Sequence, residues 1–186
     1  MGKYYTNQLV DSIKEKTSYN YAVDFYDKAI QHNSQYFDAY VDKLKVLHNN
    51  GKYTECLLAT NNSLKIFPNN AQLLLVKGVD KYAQDDYSGA ILDIDKAIES
   101  NKLDSNDYTN AYKFRSDIFF VKDSSEKALQ DINKAILYSP DDFELYETRG
   151  NIYKKLLKKD LACENYRKAA DLGDVTIYKL IKSYCK

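Results

Sequence analysis

The chain has 186 residues, of which 44% are hydrophobic and 29% are charged, a balance typical of a globular protein that buries a substantial core. Lys plus Arg and Asp plus Glu both number 27, so no net charge favours binding to nucleic acid or to an anionic membrane. The longest uninterrupted apolar runs have four residues, whereas a helix that spans a membrane needs about 20. We therefore expect no nucleic-acid binding and no stable membrane insertion, and the lack of a secretory leader pattern predicts a cytoplasmic location.

One short pattern recurs along the chain at a nearly constant interval. Related segments each begin at a small residue: AVDFYDKAI at Ala22, CLLATNNSL at Cys56, AILDIDKAI at Ala90, ALQDINKAI at Ala128 and ACENYRKAA at Ala162. Consecutive copies are 34 residues apart, except that Ala90 and Ala128 are 38 apart. A fixed period of this length indicates stacked copies of one supersecondary unit.

Each copy of the pattern belongs to a unit that is predicted to contain two helices. The register places the units at 3–36, 37–70, 71–108, 109–142 and 143–176, with four extra residues in the third. In the second unit, FDAYVDKLKVLHNN has apolar residues at helical spacing, GKY forms a turn, and a second amphipathic segment follows. Pro68 and Pro140 occupy equivalent places near the ends of their units, where a helix has to stop.

Residues at fixed places in these units resemble the tetratricopeptide repeat (TPR) family. The fourth unit matches the family pattern of aromatic, small and proline residues with Tyr112, Ser116, Phe119, Ala128, Ile132, Ala135 and Pro140. The first unit, with Thr6 and Val10, and the second, with Leu44, Cys56 and Ser63, depart furthest from the pattern. The resemblance covers 3–176 and implies an all-α, right-handed solenoid of stacked antiparallel helix pairs.

Small residues mark the places where we expect the helices to approach closely. Gly78, Ser116 and Gly150 would let the first helix of a unit lie against its partner, and Ala128 would do the same for a second helix. Larger side chains there would push the helices apart. After the last unit, residues 177–186 form an amphipathic segment, which we predict to be a capping helix or, alternatively, a contact for homo-oligomer formation.

Asp93 and Asp95 stand one residue apart, a spacing that some enzymes use to hold a divalent ion. On a helix, side chains two residues apart point about 200° away from each other, so this pair cannot bind one ion. We expect Asp93 to pair with Lys96, and both aspartates to face solvent. His32 and His48 lack a partner at ligand spacing, and no phosphate-binding or nucleophile motif is present. The sequence therefore predicts no catalytic residue, no metal site and no cofactor.

The three cysteines, Cys56, Cys163 and Cys185, are widely separated in the sequence. Their odd number and the lack of a C-x-x-C pair argue against a disulfide framework or a zinc site. We expect all three to be small apolar side chains in a reducing compartment.

The TPR resemblance also implies a concave surface, lined by the first helix of each unit, that receives a peptide. The side chains that we predict to line this groove are Val41, Lys45, His48, Leu75, Val79, Tyr82, Lys113, Asp117 and Phe120. The large apolar members of this set are typical of a binding site. The alternative is that neighbouring helices of a tight superhelix cover them.

The predicted function is a non-catalytic scaffold or adaptor that binds a partner peptide in the concave groove. Two alternatives are a dedicated chaperone that shields an apolar segment of a secreted or membrane-bound client, and a regulatory TPR piece of a larger protein or complex. Some TPR proteins grip a C-terminal carboxylate with Lys, Asn and Arg side chains from three successive units. This chain offers Lys113 beside Asp117 and lacks the remaining residues of that set.

Overall fold

A computed structural model describes residues 18–186, which form helices and connecting turns with no strand in that range. The first helix of the predicted 3–36 unit, with Thr6 and Val10, lies outside the described residues. In chain order the helices are α1 at 18–32, α2 Phe37–Asn49, α3 Tyr53–Ile66, α4 Ala71–Tyr82, α5 Tyr87–Glu99, α6 Ser105–Val121, α7 Ser125–Tyr138, α8 Phe143–Lys155, α9 Lys159–Asp171 and α10 Tyr178–Tyr184. Between residues 18 and 186, no helix combines the length and the apolar character that a membrane crossing requires.

The helices pack as successive antiparallel pairs. The pairs are α2 with α3, α4 with α5, α6 with α7 and α8 with α9, and each pair contacts the next one along the chain. Helices α2, α4 and α6 also contact one another in sequence order, so the first helices lie side by side along one surface. The short helix α10 packs on α9 at the end of the stack, the place where a capping helix was predicted.

The turn inside each pair has the same backbone conformation. Gly51, Asp85, Asp123 and Leu157 end these turns, and their φ angles lie between 56° and 68°. Glycine, aspartate and asparagine tolerate this left-handed region, whereas a leucine there costs about 1 to 2 kcal/mol. Leu157 is also 89% exposed, so its side chain gains little from packing.

The four extra residues of the third unit lengthen a helix rather than a loop. Helix α6 begins at Ser105, four residues before the predicted start of the 109–142 unit, and has 17 residues where its equivalents α4 and α8 have 12 and 13. The side chain of Asp104 accepts a hydrogen bond from the backbone N–H of Asp107, which satisfies the new N-terminus. The insertion therefore adds one turn of helix at the edge of the concave surface.

Close contact between paired helices depends on the small residues that the sequence predicted. A Cβ added at Gly78 would lie 2.6 Å from Cγ1 of Ile94, and one added at Gly150 would lie 2.5 Å from Cε1 of Tyr166. Both partner side chains are fully buried. Ser116 is also fully buried, and its hydroxyl donates a hydrogen bond to the carbonyl oxygen of Ala128 at 2.9 Å.

Arginine side chains join neighbouring pairs. Arg115 on α6 donates to both carboxylate oxygens of Asp131 on α7, at 2.7 and 2.8 Å, and to Asp95 on α5 at 2.5 Å. One repeat later, Arg149 makes the same two contacts with amides, to the side-chain oxygens of Asn165 and Asn133 at 2.7 and 2.8 Å. Arg149 thus links neighbouring helices as Arg115 does. Neutral Asn133 and Asn165 stand in place of the acids Asp95 and Asp131.

The prediction that Asp93 pairs with Lys96 and that Asp93 and Asp95 both face solvent was wrong. Asp93 is only 4% exposed, and its Oδ2 lies 2.6 Å from Nζ of Lys81 on α4 instead of pairing with Lys96. Asp95 pairs with Arg115. Neither carboxylate is a simple solvated group, because helices α4 and α6 bring cations that are distant in the sequence. Within residues 18–186, no three His, Cys, Asp or Glu side chains cluster in a way that could hold a metal ion.

The prediction for two of the cysteines was also wrong. Cys163 on α9 and Cys185 after α10 form a disulfide between residues 22 apart in the sequence. The short helix α10 packs on α9 and so brings the two thiols together. Cys56 is free and buried, as predicted.

We expect Gly150→Ala to destabilise the protein by about 1 to 2 kcal/mol, since an overpacked contact costs about 1 to 3 kcal/mol and the gain in helix propensity recovers part of it. The ring of Tyr166 cannot move freely, because its hydroxyl donates to Asn151 at 2.9 Å. Thermal melting measures the effect, with Thr148→Ala on the same helix as the control. An unchanged melting temperature for Gly150→Ala would contradict the close-contact account.

Replacing Leu157 by Asn should raise stability by about 1 kcal/mol, because asparagine adopts the left-handed conformation at lower cost. Leu137→Asn is a matched control, since Leu137 is 81% exposed but lies in the regular helix α7. Urea unfolding of the two variants should move in opposite directions. A loss of stability in both variants would show that the turn conformation is not strained.

Reduction of the Cys163–Cys185 disulfide should release α10 from α9. Closing a loop of 22 residues stabilises a protein by about 3 kcal/mol in the chain-entropy account. A reductant should therefore lower the melting temperature of the native chain but leave a Cys163→Ser/Cys185→Ser double variant unchanged. Equal melting of the native chain with and without reductant would argue that the bond does not support the fold.

Candidate ligand-binding groove

The side-by-side helices α2, α4 and α6 enclose an open groove of about 320 Å³. Apolar side chains form its floor, and polar and charged side chains stand at its rim. The lining residues are Val41, Leu44, Lys45, His48, Asn49, Gln72, Leu75, Val76, Val79, Asp107, Asn110 and Phe114. The mixture of an apolar floor and a few polar groups is typical of ligand-binding clefts.

Several of the residues predicted from the sequence lie in this groove, and others lie beyond its end. Those that line it are Val41, Lys45, His48, Leu75 and Val79. Tyr82 lies next to the groove, with its ring centroid 5.7 Å from that of the lining residue Phe114. Lys113, Asp117 and Phe120 lie further along, on the part of α6 that faces α8.

The apolar residues predicted to line the groove differ in how far they are exposed. Val41 and Leu75 are 6% and 4% exposed, so neighbouring helices cover most of their surface. Val79, Tyr82 and Phe120 are partly exposed. The accessible apolar surface of the groove is therefore contributed mainly by α4, with the deeper residues forming its base.

The sequence did not indicate Asp107, Asn110 and Phe114 as a group. Asp107 lies in the extra turn of α6, which no fixed 34-residue register could place. Phe114 and its equivalent on α4, Val76, both line the groove, and the ring of Phe114 lies beside that of Tyr82. Only the position of α6 relative to α4 shows that these residues converge.

His48 is held in the groove by a buried carboxylate. Its Nδ1 lies 2.6 Å from Oδ1 of Asp80, which is fully buried on α4. Nδ1 donates this bond when Asp80 is ionised, because a carboxylate without a proton can only accept. The interaction fixes the imidazole ring in one orientation at the rim.

The buried thiol of Cys56 lies near the same pair but is not poised for nucleophilic chemistry. Burial raises the pKa of the Cys56 thiol well above its usual range, and the nearby Asp80 carboxylate raises it further. The thiol donates to the carbonyl oxygen of Leu44 at 3.4 Å. A thiol that stays protonated is a poor nucleophile, so this Cys, His and Asp neighbourhood is a packing and orienting arrangement.

Carboxylates gather where Lys113 on α6 meets Glu144 on α8. Burial raises the pKa of Asp117 to about 6, with Lys113 opposing and Glu144 adding to the shift. Burial also raises the pKa of Glu147, together with the charges of Asp174 and Glu144. Lys113 forms an ion pair with Glu144. We call Asp117, Glu144 and Glu147 the acidic end of the groove.

Known proteins that are similar to this chain include a curated sequence and several solved structures. No model of a known protein family matches the chain. The sequence is 25% identical to anaphase-promoting complex subunit 3 of Schizosaccharomyces pombe over 159 residues, which is 86% of this chain and 22% of that protein. The chain thus spans about a fifth of the length of this curated relative.

Solved structures with the same arrangement include TTC0263, a TPR protein of Thermus thermophilus, with a TM-score of 0.71, 16% identity and 96% of both chains covered. YrrB, a TPR protein with an unusual peptide-binding site, has a TM-score of 0.66 and 20% identity over 94% of this chain and 87% of its own. PilF of Pseudomonas aeruginosa has a TM-score of 0.76 and 15% identity over 94% of this chain and 82% of its own. These likenesses confirm the predicted fold, a right-handed all-α solenoid of the TPR type.

Proposed function

We propose that the chain is a non-catalytic interaction scaffold that holds a peptide segment of a partner protein in the groove between α2, α4 and α6. The observation that carries this proposal is the groove itself, in which a partly exposed apolar floor is bordered by groups that can hydrogen-bond a peptide main chain. Its volume of about 320 Å³ is at the lower end of the range for ligand sites and suits a few anchoring side chains.

The rim supplies both donors and acceptors. Gln72 on α4 and Asn110 on α6 carry amides that can pair with peptide N–H and C=O groups, and Asn49 offers a third at the α2 side. A peptide bound in this way leaves few of its polar groups unpaired while its apolar side chains cover Val79 and Phe114. Burial of that surface is the main favourable contribution.

The relatives give independent support for an interaction role. One structural neighbour is a TPR protein with an unusual peptide-binding site, and the curated relative is a subunit of a multiprotein complex. The predicted alternatives use the same groove: a chaperone would shield an apolar client segment in it, and a regulatory piece of a larger protein would present it.

The cytoplasmic location, which rested on the lack of a secretory leader pattern, remains a prediction. The Cys163–Cys185 disulfide bears against the reducing compartment that we expected for the cysteines, because such bonds persist mainly in oxidising environments. Homo-oligomer formation through the terminal helix also remains a prediction. The outer side of α10 exposes Tyr178 at 58%, together with Lys179 and Lys182, so a contact there would be small and partly charged.

Groove binding can be tested by affinity capture from source lysate with quantitative mass spectrometry. Val79→Glu places a charge on the floor, and Tyr82→Ala removes an aromatic side chain at its edge, so both should reduce capture of a groove partner at least tenfold. Leu92→Glu is the matched control, since Leu92 is 55% exposed on the second helix α5, away from the groove. Partners retained by both groove variants would contradict the proposal.

A further inference from the structure

The acidic end of the groove carries more negative charge than the neighbouring cations balance. Lys113 is paired with Glu144, which leaves Asp117 and Glu147 without an ion pair in the part of the chain that the structure describes. Arg149 on α8 is bound to Asn165 and Asn133, and Nζ of Lys154 lies 5.1 Å from the ring centroid of Tyr184 on the cap. Three carboxylates therefore face one paired lysine.

A fourth carboxylate lies beneath them. Asp174 is only 3% exposed, and its Oδ1 accepts hydrogen bonds from the backbone N–H and the hydroxyl of Thr176 at 2.9 and 2.6 Å. Its Oδ2 is buried and has no hydrogen-bond partner among the described residues. Burial raises the pKa of Glu147, and the nearby charge of Asp174 raises it further. Buried acids without a cation are costly, and an added positive charge would relieve that cost.

The acidic end adjoins the apolar floor. Asp117 lies three residues, about one helical turn, after the lining residue Phe114 on α6, and the ring of Tyr82 packs beside that of Phe114. A peptide that follows the first helices from α4 to α8 therefore passes from apolar surface to carboxylates. The spacing of those carboxylates does not suit a bound metal ion, since no cluster between residues 18 and 186 could hold one.

We propose that the groove selects a partner segment in which a basic side chain follows apolar side chains, with the basic group lying between Asp117, Glu144 and Glu147. This inference rests on the proposed function and specifies its partner. A Lys or Arg side chain suits the site because it reaches along apolar surface with its methylene groups and presents several donors to separated carboxylates. Arginine would add planar, two-point pairing with Asp117 or Glu147.

The test is to select binding peptides from a displayed library of random peptides. Each peptide is long enough for about four turns of helix, or for an extended segment of about a dozen residues. The native chain should enrich Arg and Lys at a fixed distance from apolar residues. An Asp117→Asn/Glu147→Gln variant should still enrich the apolar residues but lose the basic preference. The matched control is Glu164→Gln/Asp171→Asn, which removes two exposed acids from α9 and should keep the native preference.

The two proposals fail in different ways in this experiment. Peptides that depend on Val79 but show no basic preference would overturn this inference and leave the groove function intact. If no enriched peptide depends on Val79, the groove function fails and this inference fails with it.

Calcium ions added to the native chain should not compete with the peptide, and competition would favour a metal site over a basic group. Folding of the variants is checked by melting, where Asp117→Asn should be at least as stable as the native chain because it removes a buried charge.

Affinity measurements on one selected peptide complete the test. Fluorescence anisotropy should show binding at least tenfold weaker for the Asp117→Asn/Glu147→Gln variant, or for a peptide whose basic residue is changed to Gln, and no further loss when both changes are combined.

Binding to the native chain should also weaken as the pH falls from about 7 to about 5, because Asp117, with a pKa of about 6, becomes protonated and neutral. The other charged groups that face this region are Lys113, Glu144, Glu147, Lys154 and Asp174. Binding that is independent of pH and of both substitutions would overturn the inference.

Discussion

The close approach of the two helices in each pair is the constraint on which the rest of the structure depends. At Gly78 and Gly150 the partner side chain occupies the space where a Cβ would be, and at Ser116 the hydroxyl bonds to the backbone of the partner helix. This contact fixes how far apart the helices of a pair lie and how the next pair stacks on them. Because the small residues recur with the repeat, the first helices align on one surface, and the groove follows from that alignment.

Charge is distributed according to this stacking rather than according to the local sequence. Arg115 binds one acid in its own pair and one in the preceding pair, and Arg149 repeats the arrangement with amides. These contacts satisfy both arginine side chains inside the stack. The concave surface differs, since Asp117 and Glu147 remain without a counterion among the described residues and His48 is held by a buried carboxylate. A surface that keeps unbalanced charge beside an apolar floor is suited to recognising a partner of complementary charge.

These features give the interaction role a physical form. In the proposed function, apolar surface at Val79 and Phe114 would supply affinity, amides at the rim would pair with a peptide main chain, and the acidic end would distinguish one peptide from another. The one cysteine that lies near a histidine and an aspartate is held as a protonated, buried thiol. This thiol is therefore not poised for nucleophilic attack.

The sequence by itself determined the helical repeat, because small, aromatic and apolar residues recur at a period that only stacked helix pairs can bury. It also placed Val79 and His48 on the surface that became the groove, since a side chain's face on a helix follows from its position in the register. Only the tertiary structure decided the partners of Asp93, the disulfide between Cys163 and Cys185, the extra turn that brings Asp107 to the rim, and the burial of Leu75. Each of these depends on where one helix lies relative to another. Helical periodicity records the face that a residue occupies, but the distance to a partner on a different helix is set by packing.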